Sequence, residues 1–235
     1  MAVRHGYGKI ATDGLKVAFD AFESLSATSG STTVKNLAGS EDSVLQNGTY
    51  FSPEDKAFIF DGTNDYATQT YDMSGLSEFS LEFWAKSYET GSVEENYLHA
   101  LAGTNGGGSY VRINQQKVGY ERINILFYVN GNESNAFGQA IVNYDTYDPF
   151  GYNHYLVTIK DNDYQRIYFN GELKINTSIG SVLTTGLSTW YQRWGNYAGS
   201  YKWNGEIAVA KIYNKALTQK EVLQNFNHYR GRFGI

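Results

Sequence analysis

The sequence predicts an all-β protein, an antiparallel β-sandwich with one short helix at its C-terminal end. Several runs alternate apolar and polar residues with a period of two, which is typical of strands that are buried on one face. Glycine occurs 25 times and proline only twice, as suits a chain with many tight turns. Only one stretch, near the end of the chain, shows a helical pattern.

The clearest strand is the run EFSLEFWAK at residues 78–86. Its two faces differ in polarity. The face that we expect in the core consists of Phe79, Leu81, Phe83 and Ala85. The face that we expect to be polar consists of Glu78, Ser80, Glu82 and Trp84.

Six further runs read as strands. They are LKVAFDA at 15–21, AFIFDG at 57–62, YLHALAG at 97–103, RINILFYVNG at 122–131, HYLVTIK at 154–160 and GEIAVAKIY at 205–213. Polar and glycine-rich segments between strands read as connections. They lie at 24–33, 87–96, 103–109 and 130–140.

The run RIYFNGELKI at 166–175 predicts a hairpin. A two-residue turn would oppose apolar to charged side chains on its strands. A three-residue loop instead pairs Ile167 with Leu173 and Tyr168 with Glu172. We therefore expect a type I turn with Gly171 in the left-handed conformation of a G1 bulge.

One helix is expected, at residues 218–230. Thr218 is a natural N-cap, and Glu221 completes the capping box T-x-x-E. Gly231 is placed to end the helix. The apolar stripe, which must dock on the sandwich because so short a helix is marginal alone, comprises Val222, Leu223, Phe226 and Tyr229.

Length and composition favour one domain. The 235 residues suit a single sandwich domain at 13–235, preceded by a polar arm at 1–12 that need not belong to the core. A net charge of −5 without any basic run argues against nucleic-acid binding. The chain has no cysteine, so disulfides and cysteine zinc sites are excluded. No apolar run is long enough for membrane insertion, and no signal peptide is visible.

The segment GEIAVAKIYNKALTQKEVLQNFN resembles the final strand and helix of LamG-like, concanavalin A-type jelly-roll domains. Other family-like pieces occur in order along residues 13–230: DGLKVAFDA, FIFDGTNDYA, FSLEFWAKS and YLVTIKDNDYQRIYFNGEL. The resemblance implies a jelly-roll sandwich. It does not imply a chemistry, because function in such folds depends on individual sites.

A narrower resemblance joins KIATDGLKVAFDA, NLAGS…LQNGTYF and LQNFNHYRGRFGI to LamG-like structural proteins of tailed phages, cyanophages especially. It implies a non-enzymatic virion protein, either a capsid decoration protein or a fibre component, made in the host cytoplasm. Its partners would be a phage coat or tail protein, or further copies of itself. The alternative is a lectin module that binds cell-surface glycans.

A third alternative is a laminarinase-type glucanase, because such enzymes share the fold. Their motif is Glu-x-Asp-x-Glu on one strand, and EFSLE approaches it with Glu78 and Glu82 on one face. Ser80 stands where the motif has aspartate. We therefore expect no catalytic residues and no enzyme activity, although a retaining mechanism would need only two carboxyl groups about 5–5.5 Å apart.

The stretch TWYQRWGNYAGSYKW is the densest in aromatic residues. Its rings are candidates for contacts with a glycan or a protein partner. Core packing of several of them is the alternative. The residues concerned are Trp190, Tyr191, Trp194, Tyr197, Tyr201 and Trp203.

The turn DGTNDY gathers three oxygen-bearing side chains that are a candidate calcium site: Asp61, Asn64 and Asp65. The alternative is a turn held by side-chain bonds to its own backbone. No other cofactor is expected.

The N-terminal arm is a candidate assembly element. A chain of negative net charge concentrates basic or potentially basic groups here, and such a segment can become ordered on contact with an acidic groove. The residues concerned are Arg4, His5, Tyr7 and Lys9.

Overall fold

The computed structural model describes residues 8–73, 75–88, 96–103, 110–116, 122–128, 136–143, 148, 151–180, 190–197 and 201–235. In the strands between 96 and 143, and at 190–192, 196–197 and 201, the description is of the backbone. Among the described residues, no helix combines the length and the apolar character that crossing a lipid bilayer requires.

The described residues form eighteen strands and one helix. The first nine strands are β1 (Leu15–Asp20), β2 (Thr33–Val34), β3 (Ser43–Gln46), β4 (Tyr50–Ser52), β5 (Ala57–Asp61), β6 (Tyr66–Gln69), β7 (Glu78–Ser87), β8 (Asn96–Gly103) and β9 (Tyr110–Gln116). The others are β10 (Arg122–Tyr128), β11 (Ala136–Asn143), β12 (Asn153–Lys160), β13 (Tyr164–Phe169), β14 (Glu172–Ser178), β15 (Trp190–Trp194), β16 (Asn196–Tyr197), β17 (Tyr201–Lys202) and β18 (Asn204–Tyr213). The helix is α1 (Gln219–Phe233).

The strands form two sheets, and their pairing is almost entirely antiparallel. The first sheet runs β14-β13-β12-β7-β18-β5-β4, with β1 also paired to β18. The second runs β11-β10-β9-β8-β15-β6-β3-β2, with β16 and β17 beside it. The predicted all-β sandwich with a C-terminal helix is confirmed. The predicted loop at 130–140 is wrong at its end, because β11 begins at Ala136.

The main core lies between the two sheets. The first sheet contributes Phe58, Phe79, Phe83 and Ile212 among others, and all are buried. The second contributes the indole of Trp194, whose ring centroid lies 4.7 Å from that of Phe19 in an edge-on contact. Burial of such rings supplies most of the favourable free energy of folding.

Strand β7 is buried on both faces, although its sequence predicts one polar face. The apolar face lies in the main core as expected. On the other face, Ser80, Glu82 and Trp84 are fully buried beneath α1. The prediction of a solvent-facing polar surface is wrong there because the helix covers this outer face of the first sheet.

Helix α1 begins as the sequence predicts. The Thr218 hydroxyl accepts a hydrogen bond from the Glu221 N–H, and the Glu221 carboxylate accepts one from the Thr218 N–H, at 2.8 Å. The predicted end at Gly231 is wrong. The helix continues to Phe233, and Gly234, with φ of 78°, is the left-handed C-cap.

The buried stripe of α1 also differs from the prediction. Val222 and Tyr229 are buried, and Phe226 packs against the cluster of Trp84, Val209 and Tyr229. Leu223 is 40% exposed. The third buried position is the polar Asn225, which a search for apolar periodicity cannot find.

The hairpin between β13 and β14 has a two-residue turn rather than the predicted three-residue loop. Asn170 and Gly171 both have positive φ, 49° and 77°, and Phe169 pairs with Glu172. The side chain of Asn170 accepts a hydrogen bond from the His154 N–H at 2.8 Å. This anchor on β12 supports the tight Asn-Gly turn.

A bulge inside β14 corrects the mismatch that argued against this turn. The register shifts so that Tyr168 pairs with Leu173 and Ile167 pairs with Ile175. Lys174 is the extra residue. The predicted pairs of Ile167 with Leu173 and Tyr168 with Glu172 are therefore wrong, although the bulge still places Ile167 opposite an apolar residue.

We expect Gly171→Ala to destabilise the fold by about 2 kcal/mol or more. An alanine Cβ would lie 2.7 Å from Cδ1 of Phe226 in α1, and the backbone is left-handed. Gly30→Ala is the matched control, since Gly30 has φ of 77° and no heavy atom within 4 Å of that Cβ. Urea unfolding measures the loss of unfolding free energy in both variants. The Gly30 variant reports backbone strain alone, so equal losses in the two variants would exclude a contribution from the clash with Phe226.

Candidate functional site

A buried charged cluster lies between α1 and the first sheet, centred on Glu82 of β7. The Lys211 ammonium from β18 donates to the Glu82 carboxylate at 3.2 Å. The Asn225 amide from α1 donates to the second carboxylate oxygen at 2.6 Å. Nε2 of His154, from β12, lies 3.3 Å from the first oxygen. Three strands and the helix are thereby joined at one carboxylate.

The cluster holds Glu82 in its charged form. Burial alone would raise the pKa of Glu82, but the charge of Lys211 and the contact with His154 outweigh it and hold that pKa at about 2. Burial lowers the pKa of Lys211, against the opposing attraction of Glu82. The Lys211 ammonium also lies 4.2 Å from the centroid of the Tyr229 ring, so this ring of α1 contacts the cluster on the helix side.

This burial bears directly on the glucanase alternative. Glu82 is fully buried, so a polysaccharide cannot reach its carboxylate without removal of α1. Glu78 lies on the same face of β7 but is only partly buried. Ser80, between them, donates its hydroxyl hydrogen to the Lys215 carbonyl and accepts from the Leu217 N–H. Glu82 binds Asn225 of the helix, and Ser80 binds the segment that leads into the helix.

We expect the stability of the protein to fall as the pH drops from about 4.5 towards 2. The pKa of Glu82 is about 2 in the folded protein and 4.5 ordinarily. The charged carboxylate therefore contributes its full stabilisation above pH 4.5, and this stabilisation is lost as the pH falls to about 2. The loss should reach about 3 kcal/mol. Urea unfolding across this range, compared with the double variant Glu82→Gln/Lys211→Met, isolates it. Identical pH slopes would contradict the assignment.

In the turn predicted as a calcium site, the Asp61 and Asp65 carboxylates each accept a hydrogen bond from a backbone N–H of the same turn. The Asp61 carboxylate accepts from the Thr63 N–H at 2.7 Å, and the Asp65 carboxylate accepts from the Asp61 N–H at 3.0 Å. The carbonyl of Asn64 accepts from the Asn47 side chain. Burial raises the pKa of Asp65. Within the described part of the chain, no three acidic, histidine or cysteine side chains are grouped to hold a metal ion.

Two members of the aromatic stretch are core residues. Trp194 and Trp203 are each 1% exposed and belong to the main core, which corrects the expectation that they contact a ligand. Trp194 lies in β15, where alternate side chains point to opposite faces of the sheet, and Trp203 lies between β17 and β18. The side chains of the other members lie outside the described residues: Trp190, Tyr191, Tyr197 and Tyr201.

Part of the N-terminal arm is strapped to α1, which corrects its assignment outside the core. Ala11 is buried, and its N–H donates to the Asn225 side chain at 2.7 Å. The Lys9 carbonyl accepts from the Gln224 side chain at 2.5 Å. Nδ1 of His228 lies 2.7 Å from the Gly8 carbonyl oxygen. Lys9 itself is exposed, whereas Arg4, His5 and Tyr7 lie outside the described residues.

The far end of α1 is also fastened to the N-terminal part of the chain. The Arg232 guanidinium donates to both oxygens of the Asp20 carboxylate, at 2.8 and 2.9 Å. The same guanidinium lies 4.1 Å from the centroid of the Phe22 ring. The Phe22 and Phe233 rings meet edge-on at 5.8 Å. A bidentate pair of this kind fixes geometry as well as charge.

Sequence reasoning missed a surface on the outer face of the first sheet, beyond the end of α1. We call it the tyrosine surface. It consists of Tyr50, Ile59, Lys86, Tyr88, Tyr152 and Glu206. Tyr50 is 56% exposed and Tyr88 is 44% exposed. No one run of sequence shows it, because its members come from four strands and two separate connecting segments.

The carboxylate of Glu206 organises the tyrosine surface. It accepts from the Tyr88 hydroxyl at 2.6 Å and from the Tyr152 hydroxyl, and it pairs with the Lys86 ammonium at 2.8 Å. Its side chain is only 3% exposed. Burial and hydrogen bonding to Glu206 raise the pKa values of Tyr88 and Tyr152, so both hydroxyls remain protonated.

The model of the concanavalin A-like lectin/glucanases superfamily, Laminin_G_3, matches residues 61–223. The chain belongs to this superfamily. The matched range includes Lys86, Tyr88, Tyr152 and Glu206 of the tyrosine surface. The matched range ends before the part of α1 that contacts residues 8–11, which we call the strap. It also excludes residues 8–60. A search of curated protein sequences finds no match.

Solved structures with the superfamily's fold are similar to the chain at low sequence identity. A Trypanosoma rangeli sialidase in complex with the inhibitor DANA has a TM-score of 0.71 and 13% identity, over 96% of this chain and 34% of that one. The receptor-binding domain of a botulinum neurotoxin mosaic serotype C/D has a TM-score of 0.65 and 16% identity, over 92% of this chain and 51% of that one. The chain thus spans about a third to a half of the length of these proteins.

Proposed function

We propose that the chain is a non-enzymatic structural protein of a tailed-phage virion, a capsid decoration protein or a fibre component. The support comes from three segments that resemble LamG-like phage structural proteins: residues 9–21, 36–51 and 223–235. They lie almost wholly outside the range that matches the superfamily model.

The observation that carries the proposal is that the first and last of these segments are fastened together. The strap at residues 8–11 lies along α1, and Arg232 pairs with Asp20. The Leu37 N–H, at the start of the middle segment, donates to the Ala18 carbonyl of β1 at 2.9 Å. A rigid unit of this kind suits a protein whose role is to hold a fixed position against neighbours.

The proposed mechanism is mechanical. The sandwich supplies a stable body, and the basic arm that precedes the strap supplies a contact to a coat protein, a tail protein or another copy of the chain. Because the strap binds α1 through backbone atoms, the arm is presented from a fixed point on the surface. Acidic partners would complement the charges of Arg4 and Lys9.

The experiment is detection of the chain in purified virions. We expect a constant ratio of the chain to the major coat protein by quantitative mass spectrometry, and labelling of intact particles by antibodies to the chain. A form that lacks residues 2–7 should be depleted from particles, while a Leu25→Ala form, which changes a side chain that is 78% exposed, should be incorporated normally. Abundance in infected-cell lysates with absence from virions would refute the proposal.

We expect no glycoside hydrolysis by the full chain. Glu82 is sealed beneath α1, and Ser80 replaces the aspartate of the glucanase motif. Incubation with laminarin should release no reducing sugar above a boiled control. Release that disappears in Glu78→Gln, a variant of the less buried carboxylate, would show that the chain is an enzyme.

A carbohydrate-binding module is the second candidate, and the tyrosine surface favours it. Exposed tyrosine rings beside fixed polar groups are an arrangement that suits sugar recognition. The sialidase and the toxin receptor-binding domain share the fold, which is compatible with such a role. Both roles can coexist in one fibre protein, where the sandwich would be a structural unit and an adhesive one.

A further inference from the structure

The tyrosine surface occupies the part of the outer face that α1 leaves open. Tyr50 of β4 pairs with Ile59 of β5, Ile59 with Glu206 of β18, and Glu206 with Lys86 of β7. Residues directly opposite on neighbouring strands project from the same face. The four side chains therefore form one row across the sheet. Tyr152, whose ring centroid lies 4.5 Å from that of Phe233, separates this row from the helix.

We propose that this row, with Tyr88 beside it, is a binding site for a neutral pyranose oligosaccharide. The inference rests on the carbohydrate-binding candidate and names its site and its ligand class. The faces of tyrosine rings carry partial negative charge and attract the C–H groups on the face of a sugar ring. Tyr50 and Tyr88 are 56% and 44% exposed, so both offer such a surface to solvent.

The span of the row fits more than one sugar ring. Neighbouring strands lie about 4.8 Å apart, so β4 and β18 are about 10 Å apart. Tyr50 therefore stands at one end, and Tyr88, bonded to Glu206, stands at the other. Ile59 lies between them and supplies an apolar floor. A short oligosaccharide lying along this line would contact both rings.

The charges of the surface favour a neutral ligand over an acidic one. The ammonium of Lys86 lies 2.8 Å from the Glu206 carboxylate and is neutralised by it. The carboxylate of Asp55 is close enough to raise the pKa values of both Tyr88 and Tyr152. The local sum of these three charges is −1, which would repel a sugar acid. A neutral sugar has hydroxyl groups and no carboxylate, so it is not repelled by this charge.

The site is organised before any ligand arrives. The buried Glu206 carboxylate fixes the Tyr88 and Tyr152 hydroxyls and the Lys86 ammonium at the same time. The ammonium also lies 5.5 Å from the Tyr88 ring centroid and 5.6 Å from that of Tyr152. The ring of Tyr88 is thus held in one orientation, so less conformational entropy is lost on binding.

The test uses the full chain on an array of short neutral and uronic-acid oligosaccharides, followed by calorimetry with the best neutral ligand. We expect Tyr88→Ala and Tyr50→Ala each to weaken binding roughly tenfold. Tyr88→Phe keeps the ring and should retain most of the affinity. Phe22→Ala, which removes a similarly exposed ring beside α1, should bind like the natural chain. Circular dichroism confirms that each variant is folded.

The outcomes separate the site from the function on which it rests. Binding that both tyrosine variants leave unchanged would overturn the site while the carbohydrate role stands. Preference for uronic-acid ligands would overturn the neutral class. Absence of binding across the array would overturn both the site and the carbohydrate candidate. The virion role would then still depend on its own experiment.

Discussion

Lys211→Met is expected to cost about 3–5 kcal/mol of unfolding free energy. The substitution keeps most of the side-chain volume, so its main effect is electrostatic. It leaves the Glu82 carboxylate buried without the Lys211 ammonium, with the Asn225 amide as a remaining hydrogen-bond donor. A buried charge that loses its partner retains the full cost of its removal from water. Urea unfolding followed by circular dichroism measures the loss.

The double variant Glu82→Gln/Lys211→Met should recover most of that loss, because it removes the unpaired charge. Lys35→Met is the matched surface control. Lys35 pairs with Asp42, but its side chain is 64% exposed. Exposed pairs contribute about 0–1 kcal/mol. A loss for Lys211→Met no larger than that for Lys35→Met would show that the buried pair is dispensable.

Removal of residues 218–235 should abolish cooperative folding. The Trp84 ring stacks on Phe233 and Phe226, with centroid distances of 4.6 and 5.8 Å. Each large apolar side chain that loses its cover forfeits about 1.5–3 kcal/mol. Truncation would uncover Trp84 and Val209 and expose the Glu82 ion pair, against a total stability of about 5–15 kcal/mol.

The control is a chain that ends at Gly234. It keeps the whole helix and its C-cap and loses only Ile235, which is 40% exposed. Thermal unfolding by circular dichroism and tryptophan fluorescence should be nearly unchanged for this control. A truncation at 218 that still melts in one sharp transition near the natural temperature would show that α1 is an independent appendage.

Much of the sandwich was predictable because its strands alternate in the sequence. The core face of β7, the strand β12 and the capping box at Thr218 are all local patterns, and the structure confirms them. The wrong predictions concern strand faces that are buried by a segment distant in the sequence. The polar face of β7 gave no local sign that α1 would bury Glu82, because a buried ion pair and an exposed one have the same residue types.

The candidate sites were less predictable than the fold. The run at residues 189–203 is the densest in aromatic residues, but Trp194 and Trp203 are buried in the core. The tyrosine surface was invisible for the opposite reason. Tyr50 and Glu206 are far apart in the chain and meet only through strand pairing. The hairpin shows the same limit, since the bulge at Lys174 depends on packing rather than on the turn.

The double-sided burial of β7 has a consequence for how this protein can vary. Most strands of a sandwich tolerate substitution at every second position, where the side chain meets water. From Phe79 to Ala85, β7 offers no such position. The odd-numbered side chains lie in the core, and the even-numbered side chains lie under α1. The edge strand β14, largely exposed, should accept changes freely. A saturation library should therefore show a continuous intolerant block at β7, and sequence drift should accumulate on the margins of the sheet instead.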